Sequence, residues 1–416
     1  MRLLFIFLAL SWSSAFAQNK DSYDVLITDV NIIDIKTGKI SANETILIKN
    51  GRAEKIVGNV KMPAPKVQID GTGKYLMASL YDMHVHYPDN NAARFFELQT
   101  AAGISHCRIM KSSTETFSKA DNKIPEMKTA YNFFGNETYS IDSVAPVINS
   151  LKTKGYDFIK IFGVKDEAQF DAIMATAKTN NLVVCGHALS KVPAKKLLAS
   201  GYKSIEHVGY FDKAKTPAAL DSLIDLAIKN KVFVCPTLDW VTMGYQAANK
   251  DSFKFRAGYE IGKKLYGTYW DTTYTNNTKQ FGGQEKQYKE FADKDIEKKI
   301  AILAKMRKKG LKIIAGSDAE EPYQTPGFSL LDELRLIKKA GFTNKELLQM
   351  VTINASEFYN FTPNPNTSKI KIAPPKASYI LLTKNPLENI NNLETVEYLI
   401  KGAEVIDCKA LLEKIQ

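Results

Sequence analysis

Histidine and cysteine are scarce in this chain, with 5 and 4 residues among 416. So little cysteine excludes a scaffold held by disulfides. Cys107, Cys185 and Cys235 fall inside apolar, strand-like runs, so these three and Cys408 are expected as buried free thiols. Long apolar runs are also missing beyond the first few residues, and that first run is shorter than the ~18 to 20 residues a membrane-spanning helix needs. No dense basic block occurs either. The formal charge of +11 is spread along helices with interleaved acids, which argues against nucleic acid or a lipid surface as partner. Hydrophobic content of 44% and 24% charged residues exclude disordered and collagen-like classes.

What the chain does contain begins with Arg2, an apolar stretch from Leu3 to Leu10, and Ala15-Phe16-Ala17 just before Gln18. That order reads as a secretory signal peptide over residues 1–17, and so as an exported protein, periplasmic or secreted, with no membrane anchor. Residues 18–77 read as short strands, among them "YDVLITDVNIIDI" and "ETILIKNGRAEKIVG" with an Asn50-Gly51 hairpin turn. Residues 361–416 return to that style, so the two ends are expected to form one small β-sandwich domain. Between them, residues 78–360 alternate short apolar runs with helical patterns, as βα units around a parallel sheet do. Strands are expected at Leu80–His86, Ile104–Met110, around "KTAYNFFG", and at Asp157–Phe162, Leu182–His187, Ser204–His207, Val232–Leu238 and Ile313–Ser317. Eight strands predict an α/β fold of the (β/α)8 TIM-barrel type. An aromatic-rich insertion, 238–311, would be a wall or lid of the pocket or, equally, a peripheral helical hairpin.

The polar residues of these strands carry the chemistry. "DMHVH" puts His84 and His86 on one face of a strand, right for two ligands of one ion but on its own just as compatible with an ordinary strand. His187, His207 and Asp318 end three further strands, and Lys160 sits inside the apolar run "GYDFIKIFG". A buried lysine is costly unless paired, linked to metal or deprotonated. A deprotonated lysine can take up carbon dioxide as a carbamate able to bridge two ions.

Together these motifs resemble the amidohydrolase superfamily, in particular its imidazolonepropionase-like subgroup, which includes Xaa-Pro dipeptidases. The segments that carry the resemblance are "DVLITDVNIIDIKTG", "MASLYDMHVH", "AAGISHCRIM", "GYDFIKIFG", "GHALS", "SIEHVGY", "AGSDAEEP" and "PLENINNLETVEYLIKGAEV". The resemblance implies two divalent metal ions, zinc by default, with manganese, iron or cobalt compatible with the same donors. It implies His84, His86 and Asp318 on one ion, His187 and His207 on the other, and carboxylated Lys160 between them. A hydroxide between the metals would attack the carbonyl, and Asp318 would move its proton to the departing amine. Tyr210, three residues after His207, is a candidate donor to the oxyanion or substrate. Arg108 would hold a substrate carboxylate or brace neighbouring loops, and His106 is expected as a core residue. No acid follows His187 in Ala188-Leu189-Ser190, which argues against deamination. Departures from the family pattern at Ala78-Ser79, Ile109 and Ser378 bear on the subfamily, not on the ligand set. The expected substrate is a small molecule, a dipeptide or N-acyl amino acid. Another carbonyl compound such as a lactone, cyclic imide or carbamate is the alternative reaction, an inactive metal-containing binding protein the alternative class, and a homo-oligomer is left open.

Overall fold

The computed structural model describes residues 24–49, 52–56, 65–88, 92–111, 125–135, 140–243, 250–280, 282–319, 322–359 and 378–415. The expected signal peptide, the Asn50-Gly51 turn and the Pro/Asn-rich link before residue 378 lie outside them.

Both chain ends enter one mixed sheet. Its strands are β1 (Val25–Asp34), β2 (Lys39–Lys49), β3 (Arg52–Ile56), β4 (Val67–Asp70) and β5 (Tyr75–Ala78). From the far end of the chain come β13 (Ser378–Leu382), β14 (Val396–Lys401) and β15 (Glu404–Asp407). The order is β15-β14-β13-β5-β1-β2-β3, with β4 also on β1. The join between the two ends is the antiparallel pairing of Ile380 with Met77 and Leu381 with Leu76. A bulge between Ile27 and Val30 bends β1, whose first half pairs with β4 and second half with β5. Val25, Ile27, Ile46, Ile69, Leu76, Leu381 and Ile400 fill the small core this creates. Their strand neighbours Ile380, Leu382 and Leu399 join the barrel core instead. The two-residue alternation of apolar side chains thus serves two cores at once.

The barrel strands are β6 (Leu80–His86), β7 (Ile104–Lys111), β8 (Glu126–Phe134), β9 (Phe158–Gly163), β10 (Val183–Gly186), β11 (Ser204–Glu206) and β12 (Phe233–Cys235). They run parallel in sequence order. The expected eighth strand, Ile313–Ser317, differs: its ladder shrinks to a single parallel bridge between Val234 and Ile313. It closes the barrel nonetheless, because Ile314 N–H donates to Val234 O at 3.0 Å, Met83 N–H to Ala315 O at 3.0 Å, and Asp318 N–H to His84 O at 2.9 Å. Gly316 permits this seam, since a Cβ there would stand 2.3 Å from His84 N.

Within the 238–311 region, the structure has helices at Leu238–Met243, Tyr259–Gln280 and Glu285–Lys309. The last is only partly an insertion. Its second half buries Ile302, Leu303 and Met306 in the barrel core. The aromatics build a separate small cluster in which Phe253 stacks on Tyr323 (4.2 Å between ring centres) and Trp270 lies 5.2 Å from Tyr323. Tyr323 belongs to the loop after Asp318, so the cluster ties the insertion to that loop. Arg256 reinforces the tie: it donates to Asp239 Oδ1 and Oδ2 at 3.0 and 2.6 Å and to Tyr323 O at 2.9 Å, and lies 3.1 Å from Asp332. Breaking a buried pair of this kind costs about 3 kcal/mol. Arg256→Ala is therefore expected to expose the Tyr259–Gln280 helix to limited proteolysis while barrel helices stay protected. An unchanged digestion pattern would show that the aromatic cluster suffices alone.

All four cysteines are free and buried. His106 is a core residue as expected, stacked on Tyr81 at 4.2 Å with the rings 8° from parallel. Burial pulls its pKa down to about 3. Because the folded value lies below the unfolded ~6.5, the unfolded chain binds the extra proton in between, and stability falls as pH drops from 6.5 towards 3. His106→Phe should flatten the acid limb of stability against pH by up to about 1.4 kcal/mol per pH unit in that window. Parallel acid limbs for the two proteins would refute this.

Candidate metal centre

Five of the six expected ligand positions lie near the carboxyl ends of barrel strands or just beyond, and Lys160 lies within its strand. His84 and Lys160 are fully buried and Asp318 nearly so, while His86, His187 and His207 are half-buried. Asp318 Oδ1 stands 3.5 Å from His84 Nε2 and 3.3 Å from His86 Nε2, and Asp318 Oδ2 stands 3.6 Å from His207 Nδ1. Lys160 Nζ is 3.2 Å from His84 Nε2. The His207 ring is centred 5.2 Å from that of His84 and 4.9 Å from that of His187.

The electrostatics favour the ligand form of three of the imidazoles. Burial first, then the nearby Lys160 and neighbouring histidines, hold His84 and His187 below the ordinary histidine range, His187 at about 3. His207 is likewise held well below it, by burial and then by His187 and Lys160. Burial also lowers the Lys160 pKa, against the opposing pull of Asp318 and Glu206. A neutral amine is the form that can react with carbon dioxide.

Hydrogen bonds fix which ring nitrogen faces the centre. His84 Nδ1 lies 2.9 Å from Glu206 Oε2, leaving Nε2 towards Asp318 and Lys160. Thr237 Oγ1 donates to Pro236 O at 2.9 Å and so accepts from His207 Nδ1 at 2.5 Å. Backbone conformation adds to the positioning. His207 (φ 61) and Asp318 (φ 49) are both left-handed, at a cost on the order of 1 to 2 kcal/mol each that the surrounding bonds must offset. Around Asp318 those bonds come from Asp82, which accepts from Ser317 N–H at 2.9 Å, Ser317 Oγ at 2.6 Å and His84 N–H at 3.2 Å.

Two expected contacts fall elsewhere. Arg108 is buried beneath His84, where it donates to Glu206 Oε1 and Oε2 at 3.1 and 3.0 Å, to Ser204 Oγ at 2.9 Å and to Met83 O at 2.5 Å. With its donors committed inside the barrel it acts as a brace, the second of its two expected roles. Tyr210 Oη accepts from Leu189 N–H at 2.8 Å and lies 2.7 and 2.9 Å from Leu189 O and Val192 O. Its hydroxyl pins the loop that follows His187, so an oxyanion contact would require breaking those bonds. Tyr210→Phe is therefore expected to loosen that loop and weaken binding of a metal by His187, with less effect on hydrolysis than loss of any ligand. A loss of turnover without change in metal affinity would restore the oxyanion role.

Asp82, Glu206 and Thr237 are the residues the sequence reading missed. Glu206 had a signal: it and Arg108 are opposite charges inside apolar strands, the same anomaly that marks Lys160. His84, Glu206 and Cys235 also cluster closely enough to suggest a second ion site. Glu206 is already bound by Arg108, Ser204 and His84, and burial raises the Cys235 thiol pKa well above its ordinary value. That cluster is a brace.

The pattern of the amidohydrolase family matches residues 162–365, the stretch that carries His187, His207 and Asp318. Over that stretch the chain matches the amidohydrolase family. Among solved structures, the chain is similar to a Xaa-Pro dipeptidase with methionine bound in its active site, at 18% identity and a TM-score of 0.63 over 92% of this chain and 99% of that one. It is also similar to a prolidase complexed with N-methylphosphonate-L-proline (18%, TM-score 0.64, 92% and 99%) and to the ochratoxinase of A. niger (15%, TM-score 0.65, 92% and 95%). At these identities the likeness is one of fold. No curated protein sequence matches the chain. The family match supports a hydrolase, and His84, His86 and Asp318 are a group able to hold an ion.

Proposed function

We propose that this protein binds two divalent ions and cleaves the amide bond of a dipeptide or N-acyl amino acid. The observation that carries the reading is the convergence of four imidazoles, three of them held below the ordinary histidine range, with Asp318 and a lysine whose burial favours the free amine. The donor set fits: His84, His86 and Asp318 would hold one ion, His187 and His207 the other, and Lys160 would join them. For that role Lys160 Nζ bonds to the carbon of carbon dioxide and gives up a proton, leaving a two-oxygen anion in place of a lone amine. Ions held there lower the pKa of a bound water and polarise the scissile carbonyl.

The chain's own groups do the rest. Glu206 and Thr237 keep the imidazoles in their ligating tautomers. Asp318 takes the proton released by the attacking water at a carboxylate oxygen and gives it to the departing amine nitrogen. Dipeptide and N-acyl-amino-acid libraries, offered to protein reconstituted with zinc, manganese or cobalt, test the proposal. About two equivalents of metal with turnover of one or more amides is the expected result. Turnover of lactones or cyclic imides alone would move the reaction class, and bound metal without turnover of any compound would make the protein a binding protein.

We further propose export directed by residues 1–17. The protein recovered outside the cytoplasm should begin at Gln18 by mass, and an intact Met1 in that fraction would refute the assignment.

A further inference from the structure

The rings around the centre form a continuous arc. Phe134, at the end of β8, stacks on Phe162 near the end of β9 with ring centres 4.7 Å apart and planes 20° from parallel. Phe162 meets His187 edge-on at 4.9 Å, and His187 meets His207 edge-on at 4.9 Å. His207 in turn lies 5.5 Å from Trp240, which the first helix of the insertion supplies. The His187 and His207 edge of the centre is therefore bracketed by aromatic rings at both ends. One of them is out of place by ordinary burial: Phe134 is 51% exposed, although its neighbour Phe133 is buried at 1%. The close approach of strand ends sets the position of this ring, since a Cβ on Gly135 would stand 2.4 Å from the Gly163 carbonyl carbon.

An exposed phenylalanine stacked on a second ring that itself meets His187, a proposed metal ligand, leaves an aromatic face unburied at the carboxyl end of the barrel strands. A planar side chain laid on that face recovers both the apolar area and the offset-stacking attraction. Resting on the amide-hydrolase reading above, we infer that Phe134 and Phe162 form a substrate subsite that selects an aromatic side chain adjoining the cleaved amide, with Trp240 bounding the opposite side. An aliphatic contact of a methylene or two discriminates only about 10- to 200-fold, so a stacked ring is expected to give a preference within that range.

The test compares Phe-Ala and Ala-Phe with Ala-Ala, using the full chain reconstituted with metal. Wild type should prefer one of the phenylalanyl peptides by at least about tenfold in kcat/KM, chiefly through KM. In Phe134→Ala the ratio should fall below about threefold, and Phe162→Leu should give an intermediate value. A general structural defect lowers all three peptides together and leaves the ratio unchanged, and that outcome overturns the inference. No aromatic preference in wild type overturns it too. A second arm measures binding of phosphonamidate analogues of the same peptides by Trp fluorescence. Selective binding that Phe134→Ala removes, without hydrolysis of any peptide, would keep the subsite and sink the amide-hydrolase reading; unselective binding would sink the subsite.

Discussion

Lys160→Ala is expected to lower kcat/KM by at least about 10³-fold, or roughly 4 kcal/mol of transition-state stabilisation, and to leave the protein with no more than about one tightly bound ion. The reason lies in the strand. Lys160 is wholly buried, 3.2 Å from an imidazole that itself cannot take a proton at neutral pH. Left as an ammonium it would repel every ion placed among these histidines. Carboxylated as proposed, it would turn that repulsion into a second anionic ligand beside Asp318. Alanine leaves a gap of suitable size, so formate or acetate should restore part of both metal content and activity, while chloride at equal ionic strength should not. Metal analysis and turnover with and without the added carboxylate provide the measurement. Full activity in the unrescued variant would eliminate the bridging role.

The second large effect is one of stability. Arg108→Ala is expected to cost about 3 to 5 kcal/mol in denaturant unfolding, because it strands Glu206 as an unpaired charge at 1% exposure. Glu206→Ala should cost a similar amount and also reduce metal affinity about 10- to 100-fold, since His84 loses the acceptor that orients its ring. Replacing the pair together, Arg108→Met with Glu206→Leu, should destabilise by much less than the sum, as both charges leave with their desolvation cost. Additive losses in the double variant would mean that the two residues act independently, against the paired geometry of 3.0 and 3.1 Å.

The candidate ligand positions stood out in the sequence because a histidine or an aspartate at the end of an apolar run, or a lysine inside one, is an anomaly that burial alone cannot explain. β8, the least marked of the expected strands, proved a full nine-residue strand, since Met127, Ala130 and Phe133 bury well even though lysine and asparagine interrupt the pattern. The seam at 313–317 was harder to anticipate. Its sequence is as apolar as a strand, but Gly316 presses against His84 and the left-handed turn at Asp318 follows at once, which leaves room for one bridge. Arg108 braces, one of its two expected roles, and the Tyr210 hydroxyl bonds the loop after His187; sequence position on a strand or loop near the centre says nothing about which partner captures a side chain first. Glu206 captured the one and the backbone of the Leu189–Val192 loop the other.

The seam carries one more consequence. Asp82 and Ser317 meet across a sequence separation of 235 residues, and the ligands His84 and Asp318 sit one step further along the same two segments. Bringing such distant segments together is entropically late in folding. His84 and His86 emerge early in synthesis, yet in the proposed centre Asp318 would join them only once residue 318 has been made and the barrel has shut. The full proposed donor set would therefore exist only in the finished barrel, and its loading with metal would mark the completion of the fold.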